Sequence, residues 1–371
     1  MKKRDLVNAT AVCQSWRSII LSFPSLWCNA GGSPSEIQAY IERSGSMPIV
    51  VSLSSPEMAE LIAPHTPRLV SLAVQVNDPQ SFFDQLAKHL RHPIPTLHTF
   101  CLLTSASRPD MVEFDPGAND AFFIHSKKLD LKGIYFRSPP PGPDVKPFLH
   151  ITEIILRPND RARTAVREMV DTLEQLPTLE RVSVEFVSGW ECNDPPRITL
   201  PHVQEMVLFS DVQDACIPPI LDFVKFPSLT SLLLRIPQPS PWSSIGPAFS
   251  PGSFGENLPN LTVLPELQVS VYAESTEFTF RNPTAAFSYV ATEVPRDRGW
   301  DRVGCRDLPL PTVRRLIVEI WGACNDVGDE WFVEMLRDLT HLEHLELGGR
   351  YPTMVERLCH SAQQEGLRLP I

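Results

Sequence analysis

The sequence predicts an α/β fold: a solenoid of repeated strand-and-helix units with a parallel sheet on the concave side and helices on the convex side. Two observations support this fold class. From about residue 60 onward, segments of the type L-x-x-L-x-L recur, most of them just after a proline, and amphipathic helical segments separate several of them. Strands that run in the same direction need a long crossover, which the helices would provide. Stacked units of this kind share one continuous core.

The strand segments recur at a loose period. They are TPRLVSLAV, IPTLHTFCL, LPTLERVSVEF, LPHVQEMVLF, FPSLTSLLLRI, LPNLTVLPELQV, LPTVRRLIVEI and LTHLEHLELGG. Pro177, Pro201, Pro227 and Pro259 lie 24, 26 and 32 residues apart in turn. These steps are close to the roughly 20 to 29 residues of a leucine-rich repeat. We therefore predict a leucine-rich-repeat-like body over residues 60–371.

Three segments between the strands have the apolar spacing of a helix that packs on one face. Their apolar positions are Phe82, Phe83, Leu86 and Leu90; Val166, Met169, Val170, Leu173 and Leu176; and Trp331, Phe332, Met335, Leu336 and Leu339. Proline-rich loops interrupt the unit at residues 138–143 and 237–256. Within 272–308, EFTFRN and AFSYVAT predict two strands, for which an inserted hairpin is one arrangement. MVERLCHSAQQEG predicts a closing helix.

The N-terminal region begins with a predicted helix over residues 6–20. Its apolar positions include Leu6, Ala9, Cys13, Trp16 and Ile20. A face of this width is expected to be buried. Pro24 ends the helix, because proline disfavours helical geometry in the residue before it. A second short helix, SEIQAYIERSG, ended by Gly45, and a buried strand, MPIVVSL, follow.

Charge and cysteine content argue against several classes of function. The 371 residues carry 33 Lys and Arg against 44 Asp and Glu, a formal net charge of −11, which repels a nucleic-acid backbone. The eight cysteines include no Cys-x-x-Cys pair, so neither a disulfide framework nor a zinc site is indicated. No apolar run approaches the roughly 20 residues that span a bilayer. We therefore expect neither nucleic acid nor membrane as a partner, and a cytoplasmic or nuclear location.

The stretch from Leu6 to Trp27 contains two motifs, VCQSWR and PSLW. Together they resemble the C-terminal half of an F-box. The YIERSG and PIVVSL segments after them resemble those that follow the F-box in a large fungal family of F-box proteins with degenerate leucine-rich repeats. The first half of the motif, with its Leu-Pro-containing helix, would precede Leu6. The resemblance predicts partial F-box helices (1–30), a connecting helix and first strand (31–59) and the repeat body (60–371).

The resemblance implies a substrate-recognition adaptor of a SKP-cullin-F-box type ubiquitin ligase. In this family the F-box helices bind the SKP adaptor, which binds a cullin scaffold, while the solenoid binds a protein substrate. The motif positions that this assigns to SKP-adaptor binding are Leu6, Val12, Cys13, Trp16, Arg17, Pro24, Leu26 and Trp27. The alternative is a leucine-rich-repeat-like protein-interaction module without a ligase role, in which the F-box remnant caps the solenoid.

Protein recognition is favoured over catalysis. No Gly-rich phosphate loop, Gly-x-Ser-x-Gly elbow or His-Glu-x-x-His helix occurs, so we predict neither an enzyme nor a cofactor or metal site. A hydrolase or transferase on an unfamiliar α/β fold is the third hypothesis. The candidate substrate-binding residues lie at outward strand positions or in the long loop, and they are Glu185, Arg235, Trp242, Glu319 and His344. Trp321 is interpreted as packing at the edge of the core.

Overall fold

The protein is a mixed α/β protein that divides into two compact units, residues 1–162 and 163–371. The computed structural model describes residues 11–55, 58–76, 88–90, 94–104, 110–113, 125–137, 150–157, 166–185, 196–209, 220–237, 257–272, 275–292, 312–321, 330–349 and 352–364. The three-part division expected from the sequence stays a prediction. None of the described helices is long and apolar enough to cross a membrane.

Unit 1 contains three described helices and eight described strands. The helices are α1 (Gln14–Leu21), α2 (Pro34–Arg43) and α3 (Ala59–Ile62), with 3-10 turns at Pro24–Trp27 and Ala63–Arg68. The strands are β1 (Asn29–Gly31), β2 (Ile49–Leu53), β3 (Leu69–Val76), β4 (Thr99–Thr104), β5 (Asp110–Glu113), β6 (Lys128–Lys132), β7 (Ile134–Arg137) and β8 (Glu153–Arg157). Six of them form a parallel sheet in the order β1-β2-β3-β4-β6-β8. β5 and β7 form a separate parallel pair.

Helix α2 shows why the local sequence forms the element predicted for it. Ser33 and Glu36 form a capping box: the Ser33 backbone N–H donates to Glu36 Oε2 at 2.8 Å, and the Glu36 N–H donates to Ser33 Oγ at 3.4 Å. Arg43 lies in the last turn, where a cation is favourable. Gly45 follows with φ of 58°, a left-handed conformation that suits glycine at a helix end. The predicted helix and the strand after it, β2, are confirmed.

Unit 2 contains four described helices and ten described strands. The helices are α4 (Val166–Glu174), α5 (Ile220–Phe223), α6 (Glu330–Asp338) and α7 (Pro352–Gln364), with a 3-10 turn at Pro259–Leu261. The strands are β9 (Arg181–Glu185), β10 (Ile198–Thr199), β11 (Glu205–Phe209), β12 (Val224–Lys225), β13 (Ser231–Pro237), β14 (Glu266–Val271), β15 (Ser275–Arg281), β16 (Ala286–Thr292), β17 (Arg315–Ile320) and β18 (His344–Gly349). Eight of them follow the order β9-β11-β13-β16-β15-β14-β17-β18. β10 and β12 pair separately.

All eight predicted repeat segments contain a strand. They form β3, β4, β9, β11, β13, β14, β17 and β18. Two of the three predicted intervening helices are present as α4 and α6, and the closing helix is α7. Most of the other intervening helix, in the DPQSFFDQLAKHL segment, lies outside the described residues, as do the loops at 138–143 and 238–256.

The sheet of unit 2 is parallel except at the two strands predicted in EFTFRN and AFSYVAT, which form β15 and β16 and pair as the hairpin considered for them. β15 pairs antiparallel with both β14 and β16, whereas β16 pairs parallel with β13 and β14 pairs parallel with β17. The cause is a tight β15–β16 hairpin, in which Asn282 Oδ1 accepts the N–H groups of Thr284 at 2.8 Å and Ala285 at 2.6 Å. Two successive reversals restore the strand direction, so the sheet is mostly parallel but its strand order departs from chain order.

Burial alternates along β9, β11 and β17 with the period of two that a sheet with one buried face requires. In β17, Leu316, Val318 and Ile320 are buried, while Arg315 is exposed and Glu319 half-buried. We call the other side of the sheet the outer face. It carries Arg315 and Glu319 of β17 and the residues paired with them on the neighbouring strands. The inner face packs the apolar core.

Candidate protein-interaction surfaces

The helix predicted over residues 6–20 is interrupted at Cys13: residues 11 and 12 are helical, and α1 begins at Gln14. Cys13 has an extended backbone, with φ of −158° and ψ of 169°, and its Sγ accepts the N–H of Trp16 at 3.5 Å. It therefore acts as the N-cap, because its side chain satisfies a backbone donor that has no partner inside the helix. The predicted continuous helix over residues 6–20 is wrong at this position. Leu6 lies outside the described residues.

The apolar face of this region is open to solvent. Five exposed apolar residues, Trp16 and Ile19 on α1 and Val12, Phe23 and Leu26 on the segments that flank it, are together called the apolar stripe. Their exposed fractions are 67% for Val12, 54% for Trp16, 53% for Ile19, 53% for Phe23 and 38% for Leu26. Of the apolar face predicted from the sequence, Ile20 is buried within the chain and is the only buried residue of α1, whereas Trp16 is exposed. Large exposed apolar patches on a protein surface mark interaction sites.

Trp27 differs from the other motif positions because it is buried, with 2% exposure. Its indole Nε1 donates to the carbonyl of Ile20 at 3.1 Å. The ring packs edge-on against Tyr40, with centroids 5.2 Å apart, and the Arg43 guanidinium lies 4.5 Å from its centroid. Trp27 thus fixes the end of α1 to α2. Among the remaining motif positions, Cys13, Arg17 and Pro24 are exposed.

Three of the predicted substrate-binding residues lie in one row on the outer face of unit 2. Strand pairing aligns the row, in order, through Glu185, Phe209, Arg235, Val290, Glu277, Ser270, Glu319 and Gly348. We call it the end row, since it lies towards the carboxyl ends of the parallel strands. Glu185 and Glu319 are separated by six strand spacings, about 29 Å.

The other two predicted residues are not in this row. His344 is exposed at the start of β18, at the opposite end of the outer face, beside Arg315. Arg315 forms ion pairs with Glu266 at 3.3 Å and Glu346 at 3.0 Å. Exposed pairs of this kind contribute about 0 to 1 kcal/mol each. Trp242 lies outside the described residues.

The sequence analysis missed the residues around Glu319. Oε2 of Glu319 accepts hydrogen bonds from Gln268 Nε2 at 2.9 Å, Trp321 Nε1 at 3.3 Å and Ser270 Oγ at 3.5 Å. Trp321, interpreted from the sequence as core-edge packing, is 40% exposed. The alternation of apolar and polar residues in LPELQVS could have placed Gln268 and Ser270 on the outer face, but it could not show which strand lies next to theirs.

Unit 1 carries a charged cluster on the open side of β4, β6 and β8. Asp130 is aligned with Cys101, and its Oδ2 pairs with Arg157 Nη2 at 3.2 Å; Lys128 pairs with Glu153. Burial, with a smaller contribution from the Asp130 carboxylate, raises the pKa of Cys101 to about 11. Burial also raises the pKa of Asp130, against the opposing effect of Arg157 and Lys128. A thiol in this setting is protonated at neutral pH and is a poor nucleophile.

We expect iodoacetamide at pH 7.5 to alkylate Cys101 at least about tenfold more slowly than the exposed Cys13, because only about one Cys101 thiol in a thousand or fewer is ionised. The rate at Cys101 should rise about tenfold per pH unit towards pH 11. Timed labelling followed by peptide mass mapping measures both rates, and labelling in urea gives the intrinsic rates. Equal native rates at the two cysteines would contradict the assignment.

Neither a family model nor a curated protein matches the chain. Within the described ranges, no group of three or more His, Cys, Asp or Glu is placed to hold a metal ion. The surfaces on which a function can be proposed are the apolar stripe of unit 1 and the outer face of unit 2.

Proposed function

We propose that this protein is a substrate-recognition adaptor of a SKP-cullin-F-box type ubiquitin ligase. The apolar stripe binds the SKP adaptor, which connects the protein to the cullin scaffold, and the outer face of unit 2 binds the protein substrate. In this proposal the strand-and-helix units form a leucine-rich-repeat-like solenoid, and the protein works in the cytoplasm or nucleus without catalytic groups or a cofactor of its own.

One observation carries the proposal: the segment that resembles an F-box exposes its large apolar side chains. Val12, Trp16 and Ile19 each expose more than half of their surface. Burying one such side chain contributes about 1.5 to 3 kcal/mol. A protein surface that exposes several of them together is expected to gain this energy by binding a partner. The anchoring of α1 through Trp27 supports the proposal, because it holds the stripe in one orientation.

A second candidate function is a protein-interaction module without a ligase role. The contact that favours it is the one between Trp27 and α2, which joins the N-terminal helix to the body of unit 1. In this alternative the N-terminal helices serve as a cap of the kind that ends repeat proteins. The two candidates differ in whether the exposed stripe binds the SKP adaptor.

The deciding experiment is direct binding between the full chain and a purified SKP adaptor, alone and with the cullin. We expect a stable complex that weakens at least tenfold in the Trp16→Ala, Ile19→Ala double variant, because truncating an interface hot spot costs about 2 kcal/mol or more and about 1.4 kcal/mol corresponds to tenfold. Trp27 is unsuitable for this test because it is buried.

The matched control changes two exposed apolar residues outside the stripe, Val263 and Tyr272, whose exposed fractions are 60% and 42%. The Val263→Ala, Tyr272→Ala variant should bind the adaptor like the wild-type protein. If the folded wild-type protein fails to bind the adaptor, or if both double variants lose binding equally, the proposal is wrong. The interaction-module alternative would then remain.

A further inference from the structure

Strand β18 lies at an edge of the sheet of unit 2. Among the described strands, its one neighbour is β17, with which it pairs in parallel from His344 to Gly349. Edge strands present backbone N–H and C=O groups that can pair with another chain, and short strands, lysine and proline are common protections against such pairing. The edge strand of unit 1, β1, has only three residues, whereas β18 has six and contains neither lysine nor proline.

The hydrogen bonds between β17 and β18 identify the backbone groups at this edge. The His344 N–H donates to the Arg314 carbonyl at 3.0 Å, so His344 directs its backbone groups to β17. Successive residues of a strand direct these groups to opposite sides. Leu345 and Leu347 therefore direct their N–H and C=O groups away from β17, where no described residue forms a backbone hydrogen bond with them.

Leu345 has the stronger need of a partner for these groups, because the residue is only 8% exposed. A backbone donor or acceptor that is shielded from water and has no partner costs about as much free energy as a lost hydrogen bond. A strand added at the edge would satisfy the backbone groups of both leucines.

The side chains on the outer face of β18 leave the edge open. His344 is exposed, and the Glu346 side chain is 61% exposed although its Oε2 pairs with Arg315. Gly348 has no side chain, and a Cβ built on it has no other atom within 4 Å.

We propose that β18 pairs antiparallel with β18 of a second copy of this chain. The two copies are related by a two-fold axis perpendicular to the sheet, which passes between Leu345 and Leu345 of the second copy. These two residues exchange both N–H···O hydrogen bonds, because each directs its backbone groups to the edge. The pairing joins the two sheets of unit 2 into one.

The charges on β18 select this partner and this register. With the axis at Leu345, His344 lies opposite Glu346 of the second copy, and symmetry repeats the pair. These are non-hydrogen-bonded pairs, in which the Cα atoms are about 4.5 Å apart and the side chains are closest. An imidazole N–H then faces a carboxylate, and pairs of opposite charge directly across two strands are stabilising.

The other two registers that align the free backbone groups lack this complementarity. With the axis at Glu346, the two Glu346 carboxylates face each other, and like charges in this position are destabilising. With the axis at Leu347, Glu346 faces Gly348 and gains no contact. The sequence of β18 is therefore complementary to itself in one register.

This inference goes beyond the proposed function, because it concerns the assembly of the protein and does not depend on what either surface binds. A two-fold axis perpendicular to the sheet keeps the outer faces of both copies on the same side. A dimeric adaptor would thus present two substrate-binding faces in one direction.

Sedimentation velocity of the full chain over a concentration series tests the dimer. We expect a monomer–dimer equilibrium in the micromolar range. His344→Glu should weaken dimerisation about tenfold or more, since it places two carboxylates opposite each other twice. The double variant His344→Glu, Glu346→Lys restores opposite charges across the axis and should recover close to wild-type dimerisation.

Leu347→Pro tests the backbone contribution. It removes an N–H that faces the edge and leaves the bonds to β17 in place, a position where a strand tolerates proline. This variant should remain monomeric, whereas Leu347→Ala, which also removes the leucine side chain but keeps the N–H, should still dimerise. Hydrogen exchange measured by mass spectrometry should show protection of the 344–349 segment that rises with protein concentration.

The inference is overturned if the folded wild-type protein stays monomeric, if the double charge variant does not recover, or if Leu347→Pro dimerises like Leu347→Ala. It is also overturned if the 344–349 segment is equally protected at every dilution, because another part of the same chain would then cover the edge. The His344→Glu monomer should bind the SKP adaptor like the wild-type protein, since the apolar stripe is unchanged. Failure of dimerisation and failure of adaptor binding are therefore separate results.

Discussion

Trp27→Ala is expected to lower the free energy of unfolding by about 3 to 5 kcal/mol, as large-to-small changes of buried aromatic residues do. The substitution removes a side chain that is 2% exposed and leaves a cavity between α1 and α2. It also leaves the carbonyl of Ile20 without its indole donor. Urea denaturation followed by far-UV circular dichroism measures the loss.

Trp27→Phe is the matched control for this prediction. It keeps an aromatic ring against Tyr40 and Arg43 but removes the indole N–H, so the expected loss is about 1 to 3 kcal/mol, the cost of leaving a buried acceptor unsatisfied. An Ala variant as stable as the Phe variant would show that the ring does not hold α1 to α2. SKP-adaptor binding should fall in the Ala variant, because the apolar stripe would lose its fixed orientation.

Trp16 and Trp27 show where sequence reasoning reached its limit in the N-terminal region. Both are tryptophans of one motif, yet Trp16 is 54% exposed and Trp27 is 2% exposed. Helical spacing identifies residues that share a face, but burial depends on what packs against that face, and local spacing does not contain this information. The helix break at Cys13 could not be predicted either. The apolar spacing continues through Cys13, but its capping hydrogen bond to Trp16 N–H separates α1 from the residues before it.

The strands were more predictable than their order. The leucine spacing predicted strands such as β13 and β17 because alternation of apolar and polar residues is a local property of a half-buried strand. β6 and β8 show the same alternation, with Leu129 and Leu131 buried in β6 and Ile154 and Leu156 buried in β8. The sequence analysis did not predict these two strands.

The place of β14 next to β17 could not be predicted from local patterns. The β15–β16 hairpin lies between them in the sequence but pairs on the other side of β14. Its turn, with Asn282 as acceptor, could be recognised from NPTA, whereas the choice of partner strand depends on contacts between distant parts of the chain. Glu277 and Glu319 lie on either side of Ser270 only because of this pairing.

Gly349→Ala is expected to destabilise the protein by about 3 kcal/mol or more, while Gly348→Ala should have little effect. Gly349 has φ of 119°, a conformation that L-residues rarely adopt and that costs about 1 to 3 kcal/mol. An added Cβ would also lie 2.2 Å from the carbonyl oxygen and 2.6 Å from the nitrogen of Ile320. Relieving this overlap requires a backbone shift, which typically costs a further 1 to 3 kcal/mol or so.

Gly348→Ala is the control for Gly349→Ala. It measures the general effect of replacing glycine by alanine in β18, without the contact between the added Cβ and the Ile320 backbone. Gly348 is the preceding residue of β18, and a Cβ there contacts nothing within 4 Å. Its replacement by alanine should be neutral or slightly stabilising, because alanine loses less conformational entropy on folding. Urea midpoints of the two variants, measured side by side, provide the test. Equal midpoints would mean that the last residue pair of β17 and β18, Ile320 with Gly349, can separate at no cost, and that the close contact at Gly349 does not stabilise the protein.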